Sequence, residues 1–284
     1  MKTKIIVANW KMNHAFDEAD KWLESFTKNY AEKKNELKDC QIVLCPSVFM
    51  IDYVDSELMD GGFKKLDSIL KDQKKDISEF SEEELTSIIL SERPVKLGAQ
   101  DCHYEVSGSF TGDVSADSLK KIGCEYVILG HSERRVGHFE SNEIVAKKVK
   151  TALEKDLIPI ICVGESKETR DLNKHLEFVY KQIMNSVPKD VKFKKLIIAY
   201  EPIWSIGTGV TPSLEQIKEI AKLIKKIFNE KFNNIAEEYF MLYGGSVTAQ
   251  NSQEIFSVAG VNGLLVGKVS LDAEEFFEIC AFAA

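Results

Sequence analysis

The chain has 284 residues, with 37 Lys+Arg against 45 Asp+Glu and a formal charge of −8. This acidic balance argues against a nucleic-acid or anionic-membrane footprint. With 44% hydrophobic and 29% charged residues, and only 16 Gly and 6 Pro, disordered, fibrous and linker-rich classes are excluded. One domain spanning 1–284, a size at which α/β barrels fold as a single unit, is expected.

The first expected strand is Lys4–Ala8. Asn9, Lys11 and Asn13 interrupt its apolar run, so no secretion leader is expected and the setting reads as cytoplasmic. Further strands are predicted at Gln41–Cys45, Val95–Ala99, Tyr126–Leu129, Ile158–Val163, Leu196–Tyr200, Phe240–Tyr243 and Gly263–Val266. Most are unbroken Val/Ile/Leu runs, as expected for a parallel sheet buried on both faces. Helical periods lie between them, clearest in Glu143–Lys155 and in Leu214–Phe228, where Leu214, Ile217, Ile220, Ala221 and Ile224 repeat at three and four. Thr211-Pro212 is expected to cap the second of these. Eight βα units predict a closed (β/α)8 barrel of the α/β class, with an open doubly wound sheet as the alternative. No apolar run reaches the ~18 residues of a spanning helix, so no membrane partner is expected. The six cysteines are scattered without C-x-x-C spacing and read as reduced thiols, neither disulfides nor a zinc site.

One connection is too long. Between strands two and three, Glu57–Glu92 carries ten acidic residues and five lysines. Phe63, Leu66, Ile69 and Leu70 have helical spacing, and Ser81-x-x-Glu84 reads as a capping box stapled by Phe80 and Leu85. Two short amphipathic helices inserted on the barrel's outside are predicted. They serve either as solvated decoration or as a partner-binding element.

In a barrel of this kind chemistry sits just beyond the strand ends. Those positions are polar: Asn9-Trp10-Lys11, Gly130-His131-Ser132-Glu133-Arg134, Glu201-Pro202-Ile203-Trp204-Ser205-Ile206-Gly207-Thr208-Gly209, Gly244-Gly245-Ser246 and Gly267-Lys268. A Lys, a His and a Glu converging on one mouth form a general acid–base set with an electrostatic helper. The Gly and Ser positions after strands seven and eight can offer backbone N–H groups to a phosphate monoester. His131-x-Glu133 lacks the cysteine partners of a zinc deaminase, and Asn262 and Val269 exclude a P-loop, so no metal is expected.

Taken in order, Asn9-Trp10-Lys11-Met12-Asn13, Gly130-His131-Ser132-Glu133-Arg134-Arg135, Cys162-Val163-Gly164-Glu165, Tyr200-Glu201-Pro202-Ile203-Trp204 with Gly207-Thr208-Gly209, and Tyr243-Gly244-Gly245-Ser246-Val247 closely resemble the motifs of the triosephosphate isomerase family. The resemblance covers nearly the whole chain outside the insertion. It implies a TIM barrel that interconverts D-glyceraldehyde 3-phosphate and dihydroxyacetone phosphate without cofactor or metal. In that family's scheme Glu201 is the base and His131 a neutral electrophile, its pKa lowered by a helix N-terminus. Lys11 and Asn9 supply charge and a hydrogen bond, and Glu133 holds Lys11. Gly207, Ser246, Gly267 and Lys268 offer N–H groups to the phosphate. Pro202, Ile203, Trp204, Ser205, Ile206 and Thr208 belong to a lid that excludes water. The Gly108–Asp113 loop resembles the one through which this family forms a homodimer.

Three positions depart from the family's usual pattern: Lys268 where Gly is usual, Ser205 where Ala is frequent, and Asp101 where many members have Asn. Another phosphosugar barrel would not combine the Glu base, its lid and the His after strand four. A barrel retired to a binding role would have lost Lys11, His131 or Glu201.

Overall fold

The computed structural model describes residues 3–37, 39–74, 76–91 and 93–283. Lys75 and Glu92, inside and at the end of the expected insertion, lie outside the described residues. Eight parallel strands close in chain order: β1 (Lys4–Asn9), β2 (Cys40–Cys45), β3 (Lys96–Ala99), β4 (Tyr126–Leu129), β5 (Ile158–Val163), β6 (Phe193–Tyr200), β7 (Ala236–Tyr243) and β8 (Gly263–Val266). The ladder of β1 on β8, from Ile5 opposite Gly263 to Ala8 opposite Val266, removes the open-sheet alternative. β6 and β7 start earlier than expected because Lys194, Lys195, Glu237 and Glu238 break the apolar signal. There Lys195 pairs in register with Glu238 at the barrel's lower rim.

The strands bury both faces. Ile5, Val7, Val43, Ile128, Ile160, Ile197 and Leu242 fill the barrel interior. Alternating neighbours such as Ile6, Ala8, Ile42, Leu129 and Ile161 pack outward on the helices. This period of two within apolar runs is what a covered parallel barrel requires.

The helices are α1 (Phe16–Lys33), α2 (Ile51–Gln73), α3 (Glu82–Ser91), α4 (Ala116–Lys121), α5 (Ser132–Gly137), α6 (Asn142–Glu154), α7 (Lys167–Asp171), α8 (His175–Ser186), α9 (Leu214–Ile227), α10 (Ala249–Ser257) and α11 (Ala273–Ala283). α9 buries Ile217, Ile220, Ala221 and Ile224 as its period predicts. Its cap is Ser213, not Thr211-Pro212. The Ser213 hydroxyl accepts from Gln216 N–H while Gln216 accepts from Ser213 N–H, a reciprocal box that places Pro212 outside the helix. The helix also ends at Ile227, and Phe228 opens a π turn.

The insertion differs from two short helices. α2 is one 23-residue helix that contains the whole first apolar stripe. Only α3 is short, and Ser81 and Glu84 form its expected box. Leu58, Gly62 and Leu66, spaced by four, are the buried line of α2, whereas Phe63 stands 53% exposed. Gly62 explains the shift: a Cβ there would lie 2.1 Å from the Ile89 carbonyl oxygen. α3 therefore crosses α2 over a residue without a side chain, and Phe63 points to one side of the crossing. Beside it a cleft of about 580 Å³ is lined by Met59, Phe63, Ile89 and Leu90, with Lys96 and Glu125 from the N-terminal ends of the strands. The insertion thus lies toward the rim opposite the strand C-termini.

Candidate active site

A cavity of about 280 Å³ at the strand C-termini is lined by Asn9, Lys11, His131, Glu201, Ile206, Gly207, Ser246, Gly267 and Lys268. The expected catalytic and phosphate-binding positions, from five different strand ends, therefore share one mouth. Glu133 stands beside it through Lys11, and of the lid segment Ile206, Gly207 and Gly209 reach the cavity while Pro202, Ile203, Trp204, Ser205 and Thr208 lie behind them, outside its lining.

Glu201 follows β6 and is 2% exposed. One carboxylate oxygen lies 2.8 Å from His131 Nε2, and the other accepts the Ser132 N–H at 3.2 Å. His131 caps α5, its Nδ1 accepting the Glu133 N–H at 3.2 Å. An N–H aimed at Nδ1 leaves no room for a proton there, so the neutral tautomer with hydrogen on Nε2 is the one this geometry holds. Burial is the largest single influence and lowers the imidazole pKa, but the charge and hydrogen bond of the facing Glu201 together with the Glu133 charge outweigh it, and the group lies above its ordinary value. The expected lowering is thus reversed while Glu201 rests on the ring. Two nearby carboxylates, one in contact with the ring, outweigh burial and the Lys11 charge.

Lys11 sits at φ 54°, an uncommon angle for a side-chain-bearing residue. Its N–H donates to Asn9 Oδ1, and its carbonyl accepts from Ser47 Oγ and Gln100 Nε2. Those bonds over-determine the strained backbone and aim the ammonium, which meets Glu133 Oε1 at 2.6 Å. Ser47 and Gln100 carry no motif signal in the sequence.

Past Glu201, Ile203–Ser205 makes a tight 3-10 turn preceded by Pro202. Gly207 and Gly209 take φ of 68° and 76°, angles that glycine adopts without strain. Thr208 Oγ1 donates to the Trp204 and Ser205 carbonyls. The near end of the segment is held by Glu165, which is fully buried: Trp204 Nε1, Tyr200 OH and Arg170 Nε all donate to its Oε1. Gly164 lets the two segments meet, since a Cβ there would stand 1.7 Å from the Glu201 carbonyl oxygen. The sequence motif contained Glu165 but gave it no task.

The triosephosphate isomerase family profile matches residues 4–74 and 77–283. The chain belongs to the triosephosphate isomerase family. Triosephosphate isomerase of Dictyoglomus turgidum is 36% identical over 282 residues, covering 98% of this chain and 99% of the relative. That of Bartonella bacilliformis is 44% identical over 194 residues, covering 68% and 76%. Among solved structures, triosephosphate isomerase from Bartonella henselae superposes with a TM-score of 0.77 at 30% identity, covering 99% and 98% of the two chains. The chain is accordingly an isomerase.

The departures from the family pattern have local explanations. Lys268 opens a 3-10 turn without the positive φ that would demand glycine. Asp101 lies between Lys148 at 2.7 Å and Arg134 at 2.9 Å, both shared with the buried Glu140. Burial pushes its carboxyl up to about 6 despite those cations. Among the described residues no group of three or more His, Cys, Asp or Glu is placed to hold a metal ion, and no helix is long and apolar enough to cross a membrane.

Proposed function

We propose that this isomerase interconverts D-glyceraldehyde 3-phosphate and dihydroxyacetone phosphate, in glycolysis and gluconeogenesis, with Glu201 moving the proton between carbons and His131 moving protons between oxygens. The observation that carries this reading is the 2.8 Å opposition of a buried carboxylate and an imidazole Nε2 inside a cavity that also receives Lys11. Glu201 takes the proton of the carbon beside the carbonyl. That C–H electron pair forms the enediolate double bond, and the carbonyl π pair becomes the oxyanion. His131 Nε2–H polarises the oxygen, donates its proton to it, and recovers one from the neighbouring hydroxyl. Glu201 then returns its proton to the adjacent carbon. Nothing is oxidised or reduced overall.

Substrate has to displace Glu201 from His131. The carbonyl oxygen takes over the Nε2–H, which turns the carboxylate toward carbon and withdraws the charge that raises the imidazole pKa. Lys11 and Asn9 then stabilise the oxyanion. The N–H groups of Gly207, Ser246, Gly267 and Lys268 take the phosphate, and Pro202–Thr208 closes over an intermediate that would otherwise eliminate phosphate into water.

A homodimer through Gly108–Asp113 fits the same reading. Met12, next to Lys11, is 95% exposed and Phe49 is 63% exposed, apolar surface that a second copy's loop would cover. Six free thiols support a reducing, cytoplasmic setting. Residues 1–284 are read as one catalytic domain decorated at about 57–92.

The test is turnover of glyceraldehyde 3-phosphate by purified protein in deuterated water. Deuterium at the carbon that receives the proton supports the scheme. Absence of turnover in folded protein would return the chain to a binding role.

A further inference from the structure

The Ser246 N–H, one of the proposed phosphate donors, already has a partner. It donates to Ser205 Oγ at 3.2 Å. The Ser246 hydroxyl in turn donates to the Ser205 carbonyl at 2.6 Å. Ser205 is fully buried, in the lid turn Ile203–Ser205, with its hydroxyl 3.5 Å from Tyr243 OH and close over Gly245, where a Cβ would stand 2.9 Å from Oγ. The serine hydroxyl thus fills, from within the chain, the acceptor place that a phosphate oxygen would take.

We propose that Ser205 is a positioning residue that couples phosphate binding to lid movement, by holding the Ser246 N–H until the lid carries Oγ away. The inference rests on the reading of Ser246 as a phosphate donor. Its physical basis is a one-for-one exchange: one lone pair on Oγ competes with one lone pair on a phosphate oxygen for a single donor. An alanine at this position has no acceptor, so its Ser246 N–H would be open to phosphate whatever the lid does. A serine makes the same N–H available only after Ser205 shifts. The Ser246 hydroxyl bond uses the backbone carbonyl of residue 205 and survives the loss of the side chain, so the two effects separate cleanly.

The experiment compares wild type with Ser205→Ala and with Ser205→Cys, whose sulfur is larger but a much weaker acceptor. Inorganic phosphate and glycerol 3-phosphate are the probes. Inhibition constants and KM give affinity, kcat reports the closed state, and the backbone amide shifts of Ser246 and Gly267 are followed by NMR. Both variants should bind inorganic phosphate and glycerol 3-phosphate about 2–10-fold more tightly, the range that one exchanged hydrogen bond supplies. KM should fall by a similar factor, with kcat unchanged or reduced. A merely structural role would lower kcat and weaken binding together. If the Ser246 amide shifts on phosphate addition but affinity in both variants is equal to or below wild type, the coupling is wrong while the phosphate reading stands. If the Ser246 amide is untouched by phosphate in all three proteins while Gly267 responds, the donor assignment itself falls and the proposal with it.

Discussion

The Glu201 carboxylate and the His131 imidazole face each other across 2.8 Å, each engaging the atom through which the other would act. Glu201→Gln preserves shape and the Ser132 contact but removes the proton acceptor. Turnover should fall by about 10²–10⁴-fold with thermal stability near wild type. Because Glu201 is the largest of the influences that raise the His131 pKa, the imidazole should titrate at lower pH in this variant, read from its ring nitrogen shifts. Identical titration in both proteins would break the proposed link, and half-normal activity would remove Glu201 from the chemistry.

Lys11 is aimed by its 2.6 Å contact with Glu133 and by a backbone pinned through Ser47 and Gln100. Lys11→Met should raise KM and lower kcat together, since the charge is felt by substrate phosphate and oxyanion alike. Glu133→Gln should give a smaller loss in both, because the ammonium remains but is less fixed. Steady-state kinetics decides, and an unchanged kcat in Lys11→Met would confine the lysine to binding.

Asp101 should make stability depend on pH. Its folded carboxyl lies at about 6, above the 3.8 of an unperturbed aspartate. The folded state therefore holds a proton that the unfolded state has lost, and the associated stability is complete below about pH 4 and is lost as pH rises through 6. Relative to Asp101→Asn, wild-type Tm should fall by a few degrees between pH 5 and 7.5. Parallel Tm curves for the two proteins over that range would contradict the assignment.

Gly62 offers a mutation that addresses the insertion alone. Its α-carbon faces the Ile89 backbone too closely for any side chain, so Gly62→Val must part α2 from α3 at about 1–3 kcal/mol. Tm should drop while kcat and KM stay within twofold. Replacing roughly 57–92 by a short crossover helix should likewise leave KM nearly unchanged, at most reducing stability through uncovered apolar surface. A severalfold rise in KM would mean that the insertion reaches the mouth or lid.

Much of this was legible because strands buried on both faces leave unbroken apolar runs, and because chemistry follows directly after them in sequence. Asn9, Lys11, His131 and Glu201 could be found in that way. Ser47, Gln100 and Glu165 could not be assigned work, because they act through contacts between segments that are distant in the chain. The Ser205 hydroxyl meets the Ser246 N–H across 41 residues, a distance over which no local pattern speaks. The insertion was misread at Phe63 for a related reason. Periodicity reports which residues could be covered, but Gly62, invisible to a hydrophobic pattern, decides where α3 crosses.

α2 also runs without interruption from Ile51, beside the catalytic rim, to Gln73 beyond the crossing. At ~1.5 Å per residue it is a strut of about 34 Å with no joint between barrel and decoration. A spin label or fluorophore at its far end, for instance on Ser68, would tumble with the barrel and give a fixed reference point for a second label on the lid. Such a pair would turn the Pro202–Thr208 segment into a moving part measured against a built-in ruler.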